Sequence, residues 1–256
     1  MPRELCLVES AGDPLRRIPV NGAMSKQVAA PYLILRTLPL ICLLCAVAGS
    51  IDATAYLLCG RIFVANMTGG TVLLAISLLQ RDLGEAGLRG GLVAAFVVGV
   101  IVARLLARTG GKQPTKGQRV LVLSIESIVL LLLAWKNAGA HTHLLLLLLA
   151  GILGVQNGAF RYIGGLHLNT TFVTGDLEQL GEAIMNPSDS LSKVTAFLLS
   201  WVAYACGALL GALGTRDFPH HGFLLPTILA VASVAAIALT PKNDMEQGHI
   251  DGRPSK

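Results

Sequence analysis

Long apolar runs at 38–59, 91–108, 119–135, 143–162, 193–214 and 222–240 constrain this chain more than any other feature. At 1.5 Å of rise per residue, stretches of 17–22 residues have the length of helices crossing a hydrocarbon layer of about 30 Å. Composition agrees, since only 14% of the 256 residues are charged and mean hydropathy is +0.65, whereas a soluble domain carries about 25% charged residues. Disorder, a disulfide-stapled secreted module and a soluble α/β enzyme are all excluded. The expected fold is all-α, a polytopic membrane helical bundle.

Charge and thiols add little chemistry. The net charge of +5 comes from basic residues in tails and inter-run gaps, as expected for segments facing an anionic leaflet. No basic run interleaves with aromatics, so nucleic acid is not an expected partner. Cys42 and Cys45 form a C-x-x-C, but on a lipid-embedded helix these are two small apolar residues one turn apart, with no second pair to complete a metal set. His141 with His143 and His220 with His221 flank apolar runs and lack the i, i+4 spacing of a helical zinc site. No metal or cofactor is expected. Gly99 with Ala103, and Gly207 with Gly211, are small-residue pairs that let helices approach closely.

Residues 1–37 read as a flexible cytoplasmic tail, with Met24 an alternative natural start, and 241–256 as a polar C-terminal tail. Between them lies a membrane domain, 38–240. Leu38–Cys45 followed by Ala46-Val47-Ala48 resembles a signal peptide and cleavage site. The run continues to Cys59 without a polar break, so a retained span is expected.

Two segments do not read as ordinary spans. Ile62–Gln80 is interrupted by Asn66, Thr68, Gly69, Gly70 and Thr71, and Leu168–Met185 carries Asn169, Thr170, Thr171, Thr174, Asp176, Glu178, Gln179 and Glu182. An acidic residue at the centre of a lipid-exposed span costs roughly 2.5–3.5 kcal/mol. These segments must be buried among helices, line a wet cavity or lie at the interface.

The same features also suggest a repeat. Ala46-Val47-Ala48-Gly49-Ser50-Ile51-Asp52 parallels Gly151-Ile152-Leu153-Gly154-Val155-Gln156-Asn157, and Thr68-Gly69 follows the first as Thr174-Gly175 follows the second. Two homologous halves, 38–137 and 141–240, are expected. If neither polar segment crosses, six spans put nine basic residues on the cytoplasmic side (Lys26, Arg36, Arg108, Lys112, Lys116, Arg119, Arg161, Lys193, Lys242) against five outside (Arg61, Arg81, Arg89, Lys136, Arg216). If both cross, eight spans split the same residues seven against seven. The positive-inside rule favours six full spans plus two broken or re-entrant segments, both termini cytoplasmic, with eight spans as the alternative. An odd number of spans per half makes the repeats inverted.

Gly49-Ser50-Ile51-Asp52-Ala53 and Phe63-Val64-Ala65-Asn66-Met67-Thr68-Gly69-Gly70-Thr71-Val72-Leu73-Leu74 resemble the signature of the YoaK-like bacterial membrane proteins. Gly154-Val155-Gln156-Asn157-Gly158 and Thr171-Phe172-Val173-Thr174-Gly175-Asp176-Leu177 resemble that family's second half. The family's usual Asn after the first Thr-Gly is replaced here by Gly70. As a family of unknown function, it implies a bacterial inner-membrane protein and no cargo.

The candidate substrate- or ion-binding residues are Asp52, Asn66, Thr68, Gly69, Glu126, Asn157, Thr174, Gly175 and Asp176. Asp52, inside the first span, is either a proton or cation ligand or a cap on a broken helix. Glu126, in mid-run with only serines as polar neighbours, either exchanges a proton near neutrality or pairs with Arg104. Thr68-Gly69-Gly70-Thr71 and Thr174-Gly175-Asp176 read as backbone breaks that start half-helices, Asp176 serving as cap or ligand. The expected function is a secondary transporter or permease for a small solute, with or without proton coupling through Asp52 or Glu126, and with lipids and that solute as partners. The alternatives are a non-transporting structural or regulatory protein or, with no recognisable nucleophile motif, a membrane enzyme.

Overall fold

The computed structural model describes residues 22–109, 113–135, 142–171, 173–186 and 191–241. His141 and Lys242, and the two tails outside 22–241, lie outside the described residues. Eight helices follow in order: α1 (Gly22–Leu58), α2 (Met67–Leu79), α3 (Leu83–Thr109), α4 (Lys116–Trp135), α5 (Thr142–Ala159), α6 (Val173–Met185), α7 (Leu191–Asp217) and α8 (Leu224–Leu239). Between α5 and α6 lies a small hairpin of β1 (Tyr162–Ile163) and β2 (Leu166–His167). The chain is a polytopic all-α bundle, as its apolar runs require.

The first helix starts earlier than the run at 38 suggests, because backbone propensity carries it through polar residues back to Gly22. Its apolar portion is Pro31–Leu58. At its other end Gly60 and Arg61 take positive φ, +83° and +56°, which stops the helix. Local chemistry sets other helix starts. Thr115 and Gln118 form a reciprocal capping box before α4, the Thr115 N–H donating to Oε1 of Gln118 at 2.8 Å. Asp82 accepts from the Glu85 N–H at 3.1 Å before α3. The hairpin turns on Gly164 and Gly165, both at positive φ, and Gly164 abuts Leu33 and Thr37 of α1 so closely that a β-carbon has no room.

Among the described residues six helices, α1, α3, α4, α5, α7 and α8 taken with the 3-10 turn before it (Pro219–Leu239), are long and apolar enough to cross a membrane. Many of the side chains they expose are apolar, including Val97, Val98 and Ile101 of α3, Leu121, Ile125 and Ile128 of α4 and Ile228 and Val231 of α8. Asp52, Glu126, Gln156, Thr170 and Asp176 are buried. A face that is apolar outside over polar groups inside belongs in lipid.

Small residues set the main contacts. Along α1 and α7, Ala46 meets Gly207, Ser50 meets Gly211 and the hydroxyls of Thr54 and Thr215 lie 3.4 Å apart, so the two helices run parallel. Gly49 sits against the Tyr204 carbonyl. Along α3 and α5, Gly99 meets the Gly151 carbonyl, Gly154 the Phe96 carbonyl and Gly158 the Ala103 side chain, again in parallel. A β-carbon at Gly49, Gly99, Gly154 or Gly207 would overlap the opposing backbone.

α4 and α8 run antiparallel. Lys116, in the first turn of α4, donates to the Ala238 and Thr240 carbonyls at the end of α8, both at 2.8 Å. At the opposite end, His221, just before α8, meets the Ala134 carbonyl. An α6 that crossed would make these helices parallel, so α6 returns to the side it left; with α6 returning, the parallel run of α1 and α7 requires the same of α2, which leaves six crossings. At 13 residues each, or about 20 Å, neither could cross the layer alone.

Candidate functional site

Asp52 is where the first half turns back on itself. From α1 its carboxylate accepts the N–H groups of Val64, Ala65 and Asn66 at 2.8, 2.7 and 2.9 Å. The Tyr204 hydroxyl of α7 donates to the same carboxylate at 2.8 Å. Four donors on two oxygens hold the non-helical stretch before α2 at the depth of Asp52. Asn66 is the N-cap of α2, its side-chain oxygen accepting from the Gly69 N–H at 3.0 Å. Gly69 lies flat against the Phe63 ring, which leaves no space for a β-carbon. Thr68 points outward, and Thr71 bonds back to the Met67 carbonyl. From there α2 climbs back, and Arg89 of α3 ties it down through the Leu73 carbonyl and the Ser77 hydroxyl.

The second half returns from the opposite side. After the hairpin, Asp176 in the first turn of α6 accepts the Asn169 N–H at 3.2 Å, and its other oxygen lies 3.2 Å from the Ser200 hydroxyl of α7. Gly175 accepts from Gln179, and Thr174 points outward. Ser200 and Tyr204 are one turn apart on one face of α7. The two acid-bearing turns, at the starts of half-helices entering from opposite sides, therefore meet on neighbouring turns of one helix. Cys45 of α1 lies within electrostatic reach of Asp176.

Glu126 is elsewhere. It is fully buried on α4 and faces Gln156 of α5, whose NH2 donates to both carboxylate oxygens, one at 3.1 Å. Arg104 is exposed and does not neutralise it. Asn157, next to Gln156, has a buried side-chain oxygen without a hydrogen-bond partner, as have the hydroxyls of Thr170 and Thr171. The nine residues thus divide: Asp52, Asn66 and Gly69 build one turn, Gly175 and Asp176 the other, Glu126 and Asn157 lie on separate helices, and Thr68 and Thr174 face away. Ser200 and Tyr204 were not among the expected site residues. Their only sequence signal is a pair of polar side chains four apart in an apolar run.

On the side where α1 begins, a polar cleft of about 180 Å³ opens between the hairpin, α6 and α7, lined by His167, Gln179, Glu182 and Lys193 among others. Arg161 donates to Nε2 of His167 at 2.6 Å, and burial together with that guanidinium holds the imidazole below its usual range. Among the described residues no group of three or more His, Cys, Asp or Glu side chains could hold a metal ion.

Residues 40–237 match the model of a family described as a protein of unknown function, DUF1275. The chain belongs to this family. It is also 29% identical to the UPF0700 transmembrane protein YoaK of Bacillus subtilis (strain 168), over 74% of this chain and 89% of that protein. No solved structure matches. With these relatives and six apolar helices, the chain is a multi-pass membrane protein.

Proposed function

We propose that this chain is a secondary transporter for a small solute in the bacterial inner membrane, built from two inverted copies of one four-helix unit. A shift of 105 residues carries Ala46 and Gly49 onto Gly151 and Gly154, and a shift of 108 carries Phe96 and Gly99 onto Tyr204 and Gly207. These are the residues in contact: Gly49 with Tyr204 and Ala46 with Gly207 on one side, Gly154 with Phe96 and Gly151 with Gly99 on the other. One set of contacts is thus made twice, with partners exchanged between halves. That exchange supports a two-fold axis passing between the antiparallel pair α4 and α8, as an inverted duplication needs.

The observation that carries the reading is the meeting of two half-helix starts on Ser200 and Tyr204. Broken helices approaching from opposite sides place polar backbone at mid-depth, where a solute is held between the copies as they rock. The side bearing Arg36, Lys116, Arg119, Arg161 and Lys193 faces the cytoplasm by the positive-inside rule. Glu126 supplies proton coupling. Its partner is a neutral amide, and an uncompensated buried carboxylate costs several kcal/mol, so it binds a proton in the folded chain and gives it up when the halves move. Catalysis is not part of this reading.

Proteoliposomes carrying the purified protein and an internal pH dye test this. With panels of amino acids, carboxylates, sugars and amines outside, at least one class is expected to drive proton influx. Glu126→Gln is expected to abolish that influx while leaving the melting temperature within a few degrees. No response to any class would count against transport.

A further inference from the structure

In the first half no buried side-chain oxygen or nitrogen of the described turn residues, 52 and 62–71, lacks a hydrogen-bond partner. In the second half three do, and the difference points to a bound ion. The shift of 105 that relates α1 to α5 carries Asp52 onto Asn157, and a shift of 106 carries Thr68-Gly69 onto Thr174-Gly175 and Val64-Ala65 onto Thr170-Thr171. The shift of 108 carries Phe96 onto Tyr204. So where the first half has a carboxylate holding a loop and a phenol donating to it, the second half has a neutral amide, and its counterpart of Tyr204 is Phe96, which has no hydroxyl.

What remains there is three oxygens. The Thr170 and Thr171 hydroxyls, in residues 1% and 2% exposed, and the Asn157 side-chain oxygen are buried with no hydrogen-bond partner. A buried hydroxyl or amide left unbonded costs roughly 1–3 kcal/mol; the register that sets Asp52 against Val64 and Ala65 sets Asn157 against Thr170 and Thr171, so three such oxygens imply a shared missing partner. All three are hard oxygen atoms without sulfur or imidazole, which is the donor chemistry of alkali and alkaline-earth cations. Asp176 in the adjoining turn supplies one negative charge and is itself 1% exposed. One carboxylate suits a monovalent ion, whereas a divalent ion would be left with a net charge in a buried site. An anion would meet Asp176 and would leave the Asn157 oxygen unsatisfied.

We propose that Asn157, Thr170 and Thr171, with Asp176 as counter-charge, form a sodium-ion site at the start of α6. Carbonyls of the non-helical stretch 168–171 complete the oxygen shell. Where the first half fixes its broken helix with its own carboxylate, the second half fixes it with an ion that can leave. The assignment rests on the duplicated architecture proposed above, and it extends that reading by naming a coupling ion.

Thermal unfolding of the purified full chain in detergent, in sodium chloride or choline chloride at equal ionic strength, is the test. At a sodium concentration roughly 100 times Kd, the melting temperature is expected to rise by about 5 °C or more over choline. Thr171→Val and Asn157→Leu are expected to abolish the sodium-dependent rise, and Thr171→Ser to keep it. The Thr71→Val control, at a hydroxyl already bonded within α2, leaves it unchanged. Equal melting temperatures in the two salts, or a sodium effect that survives both Thr171→Val and Asn157→Leu, would overturn the site. A rise caused by a carboxylate salt of choline and not by sodium would assign the three oxygens to an anion instead and also refute it. The measurement needs no substrate, so absence of transport leaves the sodium result standing, and absence of the sodium effect leaves proton-linked uptake to be judged separately.

Discussion

Asp52 and Glu126 are both buried acids in apolar runs, and their surroundings give them opposite tasks. Asp52 is held by three backbone N–H groups and a phenol, so removing it orphans a whole turn. Asp52→Ala is expected to cost at least about 3 kcal/mol, measured by chemical or thermal unfolding in micelles, since bonds to a charged group contribute about 1.5–3 kcal/mol each. Tyr204→Phe removes one donor of four and is expected to cost less, about 1–2 kcal/mol.

At the scale of helices, glycine positions decide how close the paired elements come. Gly49→Val and Gly154→Val each drive a side chain into the opposing backbone, at Tyr204 and Phe96, and are expected to cost more than about 3 kcal/mol or prevent folding. Gly87→Ala, in α3 with nothing near its β-carbon, is expected to be neutral or stabilising by up to about 1 kcal/mol. Thermal unfolding of the three variants checks both statements. The elements themselves were largely legible. A run of about 20 apolar residues has few alternatives to a spanning helix, and each expected run holds one. The start of α1 was not legible, because helix continuation through polar residues leaves no apolar mark. The hairpin at 162–167 went unread although Gly164-Gly165 is the turn signal for it. Asn66 and Asp52 were readable as polar breaks, but their roles as cap and anchor depend on which N–H groups the fold brings to them. Ser200 and Tyr204 could not be assigned at all, since the acids they touch come from α1, about 150 residues away, and from α6.

For the whole molecule, the account stands on α2 and α6 entering and leaving on the same side. The antiparallel contact of α4 with α8 demands it of α6, the parallel contact of α1 with α7 then demands it of α2, and the distribution of basic residues agrees. Single cysteines on a cysteine-free background, labelled from outside intact cells with a membrane-impermeant maleimide, measure it at both half-helices. Arg61→Cys and Gly84→Cys bracket α2, and Tyr162→Cys and Asn186→Cys bracket α6. Two re-entrant half-helices predict labelling at both 61 and 84 and protection at both 162 and 186. Labelling at 61 and 162 with protection at 84 and 186 would mean that each short helix crosses, and would contradict the inverted architecture along with the site built on it.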